Sequence, residues 1–75
     1  MAELTFGQKA VGLSFNPAGS TDVDKLKQLY ADIIDYHNTA ATATSDGETI
    51  RLHKIAITEA QGAQMWSVKA ITAAP

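Results

Sequence analysis

A chain of 75 residues is limited to one domain, because ordinary domains run to about 100–150 residues. It contains no cysteine, so neither a disulfide nor a thiolate metal site can reinforce the core, and packing, within the chain or against further copies of it, is the remaining source of stability. Hydrophobic residues make up 45% and charged residues 19%, with a formal net charge of -2, a balance too apolar for a disordered chain and not basic enough for general binding of DNA or RNA.

The first expected helix begins at Thr5, where Thr5-Phe6-Gly7-Gln8 sets a hydroxyl three residues ahead of an amide side chain, the capping-box pattern. Phe6, Ala10 and Leu13 share one of its faces. Gly7 and Gly12 each lower helix propensity by about 1 kcal/mol relative to alanine, so this segment needs a partner surface. Phe15-Asn16-Pro17-Ala18-Gly19 follows as a type I turn, and Pro17 excludes Asn16 from helical geometry, which ends the helix. Ser20 or Thr21 then caps a second helix with Asp22 and Asp24 in its first turn. Its apolar positions Val23, Leu26, Tyr30, Ile33, His37 and Ala40 alternate by three and four, widened by Leu29, Ile34 and Tyr36. Asp24, Gln28, Asp32 and Asp35 gather opposite as the solvent face, and Lys27 falls at the border of the apolar one.

Thr39 to Thr49 reads as a turn region in which Ser45-Asp46-Gly47-Glu48 forms a second capping box. The third helix runs from Glu48 to about Thr72, close to 37 Å long, and lies antiparallel to the second as a hairpin. Leu52, Ile55, Ala56, Ala60, Ala63, Trp66, Ala70 and Ile71, with Ile50, Ile57 and Val68, fill well over half its circumference, more than one partner helix can cover. Within that arc Ala56, Ala60, Ala63, Ser67 and Ala70 form a seam of small residues at intervals of four and three. The expected fold is therefore all-α: one domain over residues 1–75, a short N-terminal helix followed by a long antiparallel helical hairpin, assembled as a homo-oligomer. Apolar runs of only a few residues leave no membrane span or signal peptide, so an intracellular setting is expected.

Enzyme signatures are missing. There is no cysteine nucleophile, no glycine-rich phosphate loop and no His-Glu-x-x-His helix, and His37 and His53 have no ligand-like spacing and no third partner. No catalytic residue, metal ligand or cofactor is expected. His37 reads as a hydrogen-bonded or interface residue, and His53 as a solvated neighbour of Lys54. Anion binding has better support, from Lys27 and from Arg51 with Lys69, which share one azimuth of the third helix with Lys54, Thr58, Gln61, Met65 and Thr72. The same stripe reads equally as a plain solvent face. The turn at Phe15 either presents an aromatic ring beside helix-end amides, a cradle for phosphate, or simply connects two helices with Phe15 in the core. Trp66 is a core or interface anchor first and a stacking platform second. A ligand carrying purines and phosphates would use ring, cation and amides together, and a two-helix hairpin would have to hold it between protomers.

The segments Thr5-Phe6-Gly7-Gln8-Lys9-Ala10-Val11-Gly12, Phe15-Asn16-Pro17-Ala18-Gly19, Leu26-Lys27-Gln28 with Ile33-Ile34-Asp35, and Ala56-Ile57-Thr58 through Gln64-Met65-Trp66-Ser67-Val68-Lys69-Ala70-Ile71-Thr72 resemble the bacteriophage anti-CBASS sponge family. The resemblance spans almost the whole chain. It implies a helical phage protein that assembles as a homohexamer in the host bacterial cytoplasm and sequesters cyclic oligonucleotides, the second messengers of a bacterial defence, without cleaving them. The implied ligands are cyclic dinucleotides such as cyclic GMP-AMP, in pockets shared by two protomers, and cyclic trinucleotides at a separate site; related domains act on signals derived from cyclic ADP-ribose. Neither a DNA or RNA polymer nor a membrane is an implied partner. Position by position, the resemblance implies that Phe15 stacks on a base, within a ligand-binding turn that includes Asn16, Pro17 and Gly19, and that Lys27, or its neighbour Lys25, contacts phosphate. Thr58, Met65, Lys69 and Thr72 match the C-terminal motif, in ligand contact or in assembly, and Arg51 joins the candidate ligand set through the azimuth it shares with Lys69. Gln61 stands where an acidic residue is expected. The competing reading is a small structural or scaffold homo-oligomer with no nucleotide ligand.

Overall fold

The computed structural model describes residues 3–16 and 19–73. They form three helices, α1 (Phe6–Ala10), α2 (Thr21–Thr42) and α3 (Gly47–Thr72), with no strand among the described residues. α2 and α3 run antiparallel along each other, and α1 packs on α2. The Cα envelope measures 47 × 31 × 12 Å, a slab one helix thick.

Each helix starts where a side chain satisfies an amide that the helix itself leaves free. At α1 the capping box is complete: Gln8 N donates to Thr5 Oγ1 at 3.1 Å and Thr5 N donates to Gln8 Oε1 at 2.9 Å. Ser20, the first of the two expected candidates, caps α2 by accepting from Val23 N at 3.3 Å. At α3 the cap is Asp46 instead of Ser45, because its Oδ2 accepts from both Thr49 N at 2.9 Å and Thr49 Oγ1 at 2.7 Å. Those bonds, the hydroxyl's foremost, hold the Asp46 carboxyl below its ordinary range. The expected turn region is also shorter than its composition implied. α2 continues through Ala40 and Ala41 to Thr42, whose hydroxyl donates to Thr39 O at 2.8 Å, so alanine propensity prevails over the threonines.

Five residues are too few to hold a helix by themselves, so α1 exists because α2 receives it. Gly7 is buried against α2, and a Cβ built there would lie 2.1 Å from Ala31 O. Glycine is thus required for a backbone-to-backbone approach. Asp35 Oδ1 accepts from Gly7 N at 2.6 Å, and Gln8 Nε2 donates to Gln28 Oε1 at 3.0 Å. Asp35 and Gln28 belong to the face of α2 expected to meet solvent; that face instead carries the docking of α1. Leu13 lies past the helix end, and Phe6 is exposed, so the shared face expected of Phe6, Ala10 and Leu13 does not form.

The core joins all three helices: Val11, Ala31 and Ile34, with Ala10, Leu13, Tyr30, Ile57 and Ala60 packed around them. On α2 the buried positions are Val23, Lys27, Ala31 and Ile34, whereas Leu29, Ile33 and Tyr36 are exposed. The buried arc is therefore rotated from the expected stripe, because α1 and α3 both press on α2 and small Ala31 lies beneath α1. On α3 Leu52, Ile55, Trp66 and Ile71 of the expected apolar arc are exposed, so the hairpin leaves part of that arc uncovered, and Met65 of the polar stripe is exposed as well. No helix among the described residues is long and apolar enough to cross a membrane.

Replacing Gly7 by alanine should force α1 off α2 and lower stability by about 2–3 kcal/mol in urea denaturation. Gly47→Ala, where a Cβ meets nothing within 4 Å, should leave the midpoint within experimental scatter or raise it slightly.

Candidate ligand-binding site

The chain between α1 and α2 is a loop built around one lysine. Gly12 turns the backbone at φ 64°, a left-handed conformation that favours glycine, and Phe15 N donates to Gly12 O at 2.9 Å to close the turn. From α2, Lys27 extends its ammonium into this turn and donates to Gly12 O at 3.0 Å and to Phe15 O. Lys27 is only 5% exposed, and its Nζ lies 5.6 Å from the centroid of the Phe15 ring. The expected position at the border of the apolar face is thus corrected: Lys27 lies within the buried arc and is a buried brace. Its partners are neutral carbonyls, and no ion pair to it occurs among the described residues. The cation is thus shielded from water and rests on carbonyl dipoles, while the Asp24 carboxylate is bonded to Asn16 of the same loop.

Phe15 is 72% exposed, which removes the core reading and leaves the ring presented outward. The Asn16 side chain is turned inward upon the chain. Its Nδ2 donates to Ser20 O at 2.7 Å and to Asp24 Oδ1 at 2.9 Å, and its Oδ1 accepts from Ser20 N at 3.2 Å. Gly19 N donates to Asn16 O at 3.0 Å, the bond the expected turn requires, with Gly19 at φ 65°. Pro17 and Ala18 lie outside the described residues. Lys25 is exposed and lines an open cleft of about 520 Å³ with Leu4, Leu13, Ser14, Asp24 and Gln28.

The remaining candidates belong to α3. Arg51 forms a two-point pair with Glu48, Nε to Oε1 and Nη2 to Oε2, each at 2.7 Å; the pairing lowers the Glu48 carboxyl and raises the guanidinium relative to their ordinary values. Thr58 Oγ1 donates to Lys54 O at 3.2 Å, and Thr72 Oγ1 to Val68 O at 2.8 Å. Lys69 holds its Nζ 5.3 Å from the centroid of Trp66, a ring that is 72% exposed. Eighteen positions separate Arg51 from Lys69, about 27 Å of helix, so one chain cannot bring both to a single small ligand. The structure therefore gathers Phe15, Asn16, Gly19 and Lys27 in one loop and leaves Arg51 and Lys69 far apart on α3.

Two features went unread in the sequence. His53 is not a solvated neighbour of Lys54 but a half-buried partner of His37, with Nδ1 atoms 2.9 Å apart and ring centroids 5.1 Å apart; Tyr36 meets His37 edge-on at 5.4 Å. The two histidines are equidistant from Ser45, and an antiparallel hairpin turning there pairs them, which was the available signal. The burial of Lys27 was likewise signalled by its spacing of four from both Val23 and Ala31. Among the described residues no three His, Asp or Glu side chains gather as a metal-binding set.

Residues 8–72 match the Acb2/Tad1 hairpin domain. The chain belongs to this family. It is the anti-CBASS sponge family of the sequence resemblance. No curated protein and no solved structure matches the chain. The Acb2/Tad1 hairpin match opens inside α1 and closes on the last residue of α3, so the braced loop lies within the matched domain.

Asn16→Ala should remove the clip between the loop and the start of α2 and destabilise the protein by about 1–2 kcal/mol in urea denaturation, through the orphaned Ser20 amide and the lost bond to Asp24, since Ser20 O keeps the Asp24 amide.

Proposed function

We propose that this protein binds cyclic oligonucleotide second messengers and sequesters them without cleavage in the host bacterial cytoplasm, so that CBASS effectors are not switched on. Membership of the Acb2/Tad1 hairpin family supports the ligand class. The observation that carries the reading onto this chain is the Phe15 ring, exposed on a loop closed by a buried ammonium. An exposed aromatic face beside a lysine ammonium suits a ligand with flat bases and phosphates together. Cyclic dinucleotides such as cyclic GMP-AMP have that chemistry. In this reading Phe15 stacks on a base, Asn16 and Gly19 shape the turn that follows it, and the exposed Lys25 in the adjoining cleft supplies a cation. Arg51, Thr58, Lys69 and Thr72 then act from a neighbouring protomer or at a separate trinucleotide site.

A slab with Leu52, Ile55, Met65 and Trp66 exposed on one helix also favours assembly, and we assign that surface to a homo-oligomer, a hexamer in the family's pattern. The same surface is what a ligand-free scaffold would present, so binding decides between the readings.

Calorimetry with a panel of cyclic dinucleotides and trinucleotides should find nanomolar affinity, about -12 kcal/mol, with intact ligand recovered after heating the protein. Phe15→Ala should weaken binding at least tenfold; absence of heat and of thermal shift across the panel establishes the scaffold instead. Sedimentation should give a multiple of the chain mass, reduced by Trp66→Glu; a folded wild-type monomer at micromolar concentration refutes the assembly.

A further inference from the structure

We propose that Lys27 is a positioning residue for Phe15, acting on a bound cyclic nucleotide through that ring and not by touching its phosphates. The inference rests on the reading of Phe15 as the base-stacking ring.

Three contacts converge on one residue. An ammonium has three protons to donate. Lys27 directs two of them to Gly12 O and Phe15 O, the carbonyls at the two ends of the turn that Phe15 N closes on Gly12 O. Fixing both ends of this turn fixes the direction in which the Phe15 side chain leaves the backbone. The third contact is with the ring, whose centroid lies 5.6 Å from Nζ, within the range of about 6 Å over which a cation is attracted to an aromatic face. The brace therefore sets the backbone under Phe15 and biases the ring directly, while the ring keeps 72% of its surface open. A cation held against one side of an aromatic ring draws electron density toward itself, which favours stacking of an electron-rich purine on the open side.

A direct phosphate contact demands a different arrangement. With 5% of its surface exposed, Lys27 would have to release both carbonyls to reach a ligand outside the loop, leaving Gly12 O with the Phe15 amide alone and Phe15 O without its partner. Lys25 is exposed two positions earlier in the adjoining cleft and needs no such release. The division of labour is then one lysine beneath the ring and another outside it.

The test is a double-mutant cycle measured by calorimetry, with cyclic GMP-AMP as probe and the panel of the preceding section if that ligand does not bind. Lys27→Met should weaken binding about tenfold in the wild-type background and by less than twofold when Phe15 is already alanine. An equal loss in both backgrounds, or no loss in either, overturns the positioning role while leaving Phe15 in place. Wild-type affinity in Phe15→Ala, or no binding across the panel, overturns instead the stacking reading on which the inference stands. A ligand-free readout accompanies the cycle: with Phe15→Trp as sole indole in a Trp66→Phe background, Lys27→Met should lower the fluorescence anisotropy of that indole. Unchanged anisotropy counts against the brace. If Lys27→Met does not fold, Lys27→Gln, which keeps a donor but no charge, replaces it with the same outcomes.

Discussion

The loop between α1 and α2 is organised by an ammonium that has carbonyls for partners and, among the described residues, no carboxylate. Burying a charge in this way is unfavourable unless its donors are satisfied, and the two acceptors come from the same short turn. The arrangement ties three levels together. Lys27 lies on the buried arc of α2 between Val23 and Ala31, so the helix that supplies the brace is itself anchored in the core. The turn it closes begins at Gly12, next to Val11 of the core cluster, so the loop starts from a fixed point. The ring it supports faces outward. A surface aromatic residue is thereby tied to the hairpin's core and has less conformational freedom left to lose in any contact it makes.

Helix starts and stops were legible because they depend on neighbours three or four positions apart. Thr5 with Gln8, Ser20 with Val23 and Asp46 with Thr49 are local arrangements; the choice of Asp46 over Ser45 and the continuation of α2 to Thr42 escaped. The hairpin itself and the uncovered apolar arc of α3 were legible from periodicity. What the sequence concealed depends on partners far along the chain. Asp35 reaches an amide 28 residues away, and Lys27 reaches carbonyls 12 and 15 residues away. A wheel projection weighs side chains by hydrophobicity, so it placed Lys27 at an edge and Asp35 in water. It had no means of registering that backbone groups of α1 and the loop would come to meet them.

The same reasoning separates the candidate site residues. Phe15 and its turn were identified from a local motif, and the structure brings Phe15, Asn16 and Gly19 together. Asn16 proves to be committed to Ser20 and Asp24, which makes its part in the loop architectural. Arg51 and Lys69 share an azimuth but not a location, since a helix face is a line and not a point. The pairing of His37 with His53 shows the converse: residues 16 positions apart, on different helices, become contacts once the hairpin sets them opposite one another.

A body only 12 Å through its shortest axis has almost no inside. Mutational drift in a thick globule can hide in the centre, but here nearly every replaced side chain alters an outer contour. In such a chain the residues free to vary and the residues that meet other molecules are largely one population, and the room for silent change is correspondingly small.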